Sequence, residues 1–263
     1  VPQRPLVWLE SDDQPLPDSS YALPADAEAP GLLAVGGRLS PKRLEEAYRR
    51  GAFPWYSQGQ PVLWWTPDPR MVLPVDQFRL HRSLRKTLQK FVRDPACEVR
   101  IDSAFDLVIR ACAGLPREGQ SGTWIVPEMI EAYRRWHRAG RVHSVETWIG
   151  GELVGGLYGV GIGRMFFGES MFSRRTDASK IALAALVAFC RAQRIPLIDC
   201  QQNTRHLASL GAREVSREAF ETHLARVVPE SDVDDWTYHR SHWALLGLHD
   251  GPADDRATPH TPP

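Results

Sequence analysis

The sequence predicts an α+β protein, with a small N-terminal domain and a larger domain built on a mixed sheet. Three observations carry this. Residues 143–149, 152–160 and 164–172 are three consecutive strand-like runs joined by Gly-containing turns. An apolar helix (178–193), a short strand (195–201) and a shorter helix (204–211) follow. Upstream of residue 70 the chain is rich in Pro, Asp and aromatic residues and shows a single well-punctuated helix. The expected division is a small domain with an extended arm at 1–69, a mixed-sheet domain at 70–243, and a polar, Pro-rich tail at 244–263, expected to be disordered.

Taken in order, residues 1–30 lack periodicity and read as an arm laid on the body. Ser40 and Pro41 open a helix, as N-cap and first helical residue, and Gly51 closes it. Leu44, Ala47 and Tyr48 share its apolar face. FPWY (53–56) and VLWWTPDPR (62–70) read as ordered loops with a short strand. In 79–93 the residues Leu80, Leu84, Leu88 and Phe91 recur at helical spacing beneath a basic outer face, with no acid. A helix from Ile130 to Ala139 follows Pro127 and stops at Gly140. Asp177 is the expected N-cap of the apolar helix. The β-β-β-α-β-α order is also that of the second half of the N-acetyltransferase (GNAT) fold, although fold order alone does not fix function.

Bulk properties exclude several classes. The formal net charge is zero, so a nucleic-acid contact needs a local patch. The first thirty residues carry six acids among scattered prolines, which is unlike a signal peptide, and no window reads as a membrane span. Cys97, Cys112, Cys190 and Cys200 lack metal-site spacing and read as reduced thiols, favouring the cytoplasm.

Three features can carry chemistry. In LIDCQ, strand alternation puts Asp199 and Gln201 on one face and Cys200 on the other. A carboxylate and a carboxamide so placed can orient an amine and act on a carbonyl. Arg79, Arg82, Arg85, Lys86, Lys90 and Arg93 form a phosphate-binding stripe, and Tyr48, Trp55, Trp64, Trp65 and Trp124 offer surfaces for stacking on a base. Glu169, alone among apolar residues in MFFGESMFS, needs compensation if buried. Alternation sets it beside Phe167 and Met171. The turn before the apolar helix, RRTDAS, lacks glycine and places Asp177 where a CoA pyrophosphate would lie, which argues against CoA. His143-x-x-Glu146 reads as structural, with no third metal ligand nearby.

The stretches GLLAVGGRLSPKRLEEAYRRGAFPWY, PVLWWTPDPRMVL, GTWIVPEMIEAYRRWHRAGRVHSVETW and ELVGGLYGV, with GESMFSRRTDASKIAL and LIDCQQNTRHLASLGA, closely resemble the bacterial leucyl/phenylalanyl-tRNA–protein transferases over about residues 31–243. Arg38 departs from the acid more usual in GGDLSP, and the Pro-rich tail is an addition.

The resemblance implies an aminoacyltransferase with a GNAT-like second domain. It would move Leu or Phe, and Met less well, from aminoacyl-tRNA to the α-amino group of proteins beginning with Arg or Lys, marking them for N-degron degradation. It would use neither CoA nor a metal, and would act as a monomer. On this resemblance Asp199 and Gln201 orient the amine, while Leu157, Met171, Leu183, Leu186 and Phe189 line the aminoacyl pocket. Tyr48, Trp55 and Trp124 hold the terminal adenosine, and Arg79, Arg82, Arg85, Lys86 and Lys90 grip tRNA phosphates. Glu169 then meets either the donor's α-ammonium or the acceptor's cation, the alternative being an ion pair with Arg174 or Arg175.

Overall fold

The computed structural model describes residues 6–114 and 125–249. The N-terminal part holds β1 (Val7–Leu9), β2 (Leu32–Gly36), α1 (Pro41–Arg49), β3 (Phe53–Pro54) and β4 (Leu63–Trp65), and its four-stranded sheet has the order β1-β2-β4-β3. Ser40 caps α1 as expected, its side chain accepting from the Arg43 N–H, with Pro41 at the first position. The arm is fixed by buried Arg43, whose guanidinium donates to the carbonyls of Ser11, Asp12 and Gln14. A long cation inside a small domain thus substitutes for periodicity that the arm lacks.

The larger part contains β5 (Arg70–Pro74), α2 (Arg82–Arg93), β6 (Cys97–Ile101), α3 (Phe105–Ala113), α4 (Pro127–Arg138), β7 (Val142–Ile149), β8 (Glu152–Ile162), β9 (Met165–Ser173), α5 (Ala178–Ala192), β10 (Leu197–Gln201), α6 (Arg205–Ser209), β11 (Arg213–Val215) and α7 (Arg217–Val227). Its seven-stranded sheet runs β11-β5-β10-β9-β8-β7-β6. The three expected strands form an antiparallel meander, β10 lies parallel to β9, and β5 pairs antiparallel to β10. A mixed sheet was the expectation, and a mixed sheet is found.

Alternation along the strands feeds two cores, one on each face of the sheet. Phe166, Leu157 and Ile198 pack with α2 and α5, whereas Phe167, Tyr158 and Phe172 pack with α1, α3, α4 and α7. Helix α5 is buried nearly all round because α2 and the 3-10 turn Arg240–Leu246 cover its outer side.

One expectation is refined and two are corrected. Asp177 holds the N-cap position of α5 as expected, its carbonyl accepting the Ile181 N–H, but at a left-handed φ of 63° its side chain makes no capping bond; the carboxylate instead takes Lys180 at 2.7 Å and Thr87 Oγ1 at 3.3 Å. The tail begins later than residue 244, since Leu246 and Leu248 are buried in the α5 core; positions 250–263 lie outside the described residues. Helix α2 starts at Arg82, so Arg79 precedes it.

Candidate functional site

Strands β9 and β10 pair only through Ile198–Phe166 and Asp199–Phe167. Just beyond Phe167 the register between β8 and β9 slips: Gly159 faces Gly168 and Tyr158 faces Ser170, leaving Glu169 without a cross-strand partner. This is a bulge, the device by which a sheet re-aims one side chain. Glycine at 159 permits it, since a Cβ there would lie 2.3 Å from the Phe167 carbonyl oxygen. The extra residue breaks the expected alternation. Phe167 and Glu169 face the α1–α4 side, whereas Met171 packs with the α5 side.

Where the strands part, a cavity of about 460 Å³ opens. Leu157 and Met171 from β8 and β9, Leu183 and Leu186 from α5, and Ile198 make its apolar wall. Gln201, Gln202, Thr204, His206 and Leu207 form the wall beyond β10, and Phe53 and Trp55 reach it from the N-terminal part. Four of the five residues expected to line an aminoacyl pocket are therefore together. Phe189 is not among them: it is fully buried, its ring stacked at 5.0 Å on Trp236.

Glu169 stands where the cavity meets the α1–α4 core, 8% exposed. Its Oε1 accepts from the Tyr48 hydroxyl at 2.6 Å and from Gln201 Nε2 at 2.9 Å; its Oε2 accepts from the Tyr133 hydroxyl at 3.3 Å. The two phenols are 2.5 Å apart. Hydroxyl and amide donors hydrogen-bond this carboxylate, and among the described residues no cation pairs with it directly. Neither arginine considered as its partner is used: Arg174 lies over Phe172 and donates to the Leu153 carbonyl, and Arg175 pairs with Glu152. Burial raises the Glu169 pKa to about 8; the Tyr48 and Tyr133 hydrogen bonds and Arg70 oppose the rise, and nearby Asp199 adds to it. Burial and the Glu169 charge drive both phenols well above their ordinary range.

Asp199 borders the cavity, but its side chain is fully buried. Arg70 grips it with two bonds, Nε to Oδ1 at 2.8 Å and Nη2 to Oδ2 at 2.6 Å. Arg70 also donates to the Gly51 carbonyl and lies between the Phe53 and Phe220 rings. Asp199 Oδ1 further accepts the Gln201 N–H at 2.9 Å. Gln201 has a left-handed φ of 60°, at a slip in the pairing with β5, and this turn aims its carboxamide at Glu169.

Other expected residues fall elsewhere. Tyr48 and Trp64 are wholly interior, so neither presents a face to a base; Tyr48 packs on Trp136 and Phe167. Trp55 does border the cavity, 5.6 Å from Trp65, while Trp124 lies outside the described residues. Arg79, Arg82, Lys86 and Lys90 are exposed. Arg85 is half-buried and donates to the carbonyls of Leu246 and Gly247, which removes it from the outer stripe. Glu146 is buried with four donors from Ser103, Ala104, Ser144 and Trp148, and His143 bonds Asp102, so both are structural as expected. Among the described residues no cluster of His, Cys, Asp or Glu suits a metal ion, all four cysteines are free, and no helix is long and apolar enough to cross a membrane.

Sequence reasoning missed Tyr133, Arg70 and His206. A tyrosine on the buried face of an amphipathic helix must find a hydrogen-bond partner, which was the available signal for Tyr133. A lone arginine opening an apolar strand was the signal for Arg70.

An apolar cavity bounded on one side by a carboxyl group and a carboxamide has room and chemistry for a molecule with an apolar body and a polar end. The comparisons narrow this. Residues 72–225 match the model of the leucyl/phenylalanyl-tRNA protein transferase family, and residues 37–68 match that of its N-terminal domain. A leucyl/phenylalanyl-tRNA–protein transferase of Methylibium petroleiphilum is 69% identical over 94% of this chain and 93% of its own. One from Leptothrix cholodnii is 66% identical over 92% of this chain and 95% of its own. This chain belongs to the leucyl/phenylalanyl-tRNA protein transferase family.

Proposed function

We infer that this chain transfers Leu or Phe, with Met a weaker donor, from aminoacyl-tRNA to the α-amino group of proteins beginning with Arg or Lys. The transfer marks those proteins for N-degron degradation. The observation that carries the reading is the apolar cavity of about 460 Å³ with the raised-pKa Glu169 at its edge. Met171 in the cavity's apolar wall is able to adapt its shape to an aliphatic or an aromatic side chain. The meander, buried helix and parting parallel strands favour a GNAT-like second domain from residue 70 onward, with 1–69 as the smaller one. The proposed setting is a cytoplasmic monomer.

The chemistry needs little beyond positioning, because the donor is already an activated ester. A protein α-ammonium titrates at about 8, which matches Glu169 at about 8, so its proton passes to the carboxylate at small cost. The freed amine attacks the ester carbonyl carbon, a C–N bond forms, and the tetrahedral intermediate collapses by breaking the bond to the ribose oxygen. Gln201, held by Glu169, directs its amide toward the reacting centre. Asp199 is a positioning residue: locked to Arg70, it fixes the Gln201 turn.

Labelled Leu-tRNA and Phe-tRNA, offered with peptides starting in Arg, Lys or Ala, test the reading. Transfer to the first two peptides is expected, and its failure there overturns the assignment. The exposed stripe at Arg79, Arg82, Lys86 and Lys90 is proposed to contact tRNA phosphates. Lys86→Ala and Lys90→Ala together are then expected to flatten the slope of log affinity against log salt by about two, measured by filter binding. An unchanged slope would remove the stripe from the interface.

A further inference from the structure

Resting on the cavity being the aminoacyl site, we propose that His206 is a further catalytic residue, carrying a proton from the attacking amine to the departing ribose oxygen. Attack by a neutral amine leaves a positively charged nitrogen and a negatively charged oxygen in the tetrahedral intermediate. For collapse to amide and alcohol, one N–H proton must reach the ribose oxygen as its bond to carbon breaks. No oxidant, metal or co-reactant is needed, only a base that becomes an acid.

The groups facing the cavity sort themselves by what they already hold. Glu169 accepts three hydrogen bonds and Asp199 is gripped by Arg70. Burial pushes the Cys200 thiol far up, so it stays protonated. The Thr204 hydroxyl oxygen accepts the Leu207 N–H as the cap of α6. His206 borders the same cavity, is half-buried, and its ring makes no hydrogen bond among the described residues. Its position is nevertheless well fixed. The Ser209 hydroxyl donates to the His206 carbonyl, His81 Nε2 meets the Ser209 carbonyl at 2.5 Å, and the Arg79 N–H reaches the Leu210 carbonyl at 2.8 Å. An imidazole anchored through its backbone but free at its ring suits a proton carrier, since both nitrogens remain available. Burial and Lys180 lower its pKa, against Asp177, which keeps the ring in the neutral, accepting form.

The test uses the full chain carrying His206→Ala or His206→Gln. At saturating Phe-tRNA and an Arg-initiated peptide, the rate of transfer is expected to fall about 100-fold, with Phe-tRNA affinity within twofold of the parent. Added imidazole is expected to restore at least a tenth of the lost rate to the alanine variant. A fall below threefold, a parallel loss of tRNA affinity, or a slow variant that imidazole leaves unchanged overturns the proposal. The parent's own transfer activity separates this failure from that of the aminoacyl-site reading: a parent that transfers while the variants transfer equally refutes His206 alone.

Discussion

Arg70→Met is expected to destabilise the protein by about 3–5 kcal/mol. The reason is what it leaves behind. Asp199 is fully buried and receives two of its hydrogen bonds from this guanidinium, so truncation strands a charge away from water. Two aromatic faces, Phe53 and Phe220, lose their cation at the same time. For a chain of this size each kcal/mol lowers the melting temperature by roughly 2–4 °C, so a drop on the order of 10 °C is expected by calorimetry. Removing both charges, as in Arg70→Met with Asp199→Leu, is expected to recover most of that stability, because a buried pair is replaceable by apolar groups. It should not recover transfer, since the Gln201 N–H then loses the acceptor that sets its turn. A single substitution that shifts the melting temperature by less than 2 °C would show that water reaches Asp199.

Glu169→Gln is expected to slow transfer by about 100- to 1,000-fold while Phe-tRNA still binds. The amide oxygen can keep the bonds from Tyr48 and Gln201, while its NH2 donates to the Tyr133 oxygen in place of the bond that phenol now gives, so the local packing survives, but the amide takes no proton. The same variant carries a signature in stability. In the folded protein Glu169 titrates near 8, against 4.5 for the exposed group. Between those values the folded state binds the extra proton, so stability falls as pH rises from about 4.5 to about 8 and levels off above. That gap corresponds to about 5 kcal/mol at most. Denaturant titrations at pH 5 and 8 are expected to show a smaller loss for Glu169→Gln than for the parent. Parallel losses would mean that the carboxylate is ionised throughout.

How much of this was legible depended on local chemistry. Helix α1 was readable because Ser40, Pro41 and Gly51 act on their own backbone neighbours. The meander was readable because alternation and glycine turns are local too. Strands β1, β2 and β6 were not, being short and held by partners distant in sequence. Asp199 and Gln201 stood out by strand period, and the structure does bring both to the Glu169 side of β10. The bulge at Glu169 was invisible, since a period-two reading assumes that no residue is skipped. Tyr48 was assigned to a nucleobase because an aromatic residue shows its ring in sequence, whereas the hydroxyl partner that draws it inside lies 121 positions away.

Gln201 sits in the left-handed region at a φ of 60°, where a side chain with a Cβ is disfavoured by roughly 1–2 kcal/mol. Glycine would relax that backbone, and asparagine would tolerate it, yet neither brings a carboxamide as far as Glu169. On the proposed role of Gln201, folding and turnover make opposed demands on one residue. Gln201→Gly is expected to melt no lower than the parent and to transfer poorly, a combination visible by pairing a thermal melt with a transfer assay. On the proposed role, the strained backbone at Gln201 is the cost of carrying a carboxamide as far as Glu169.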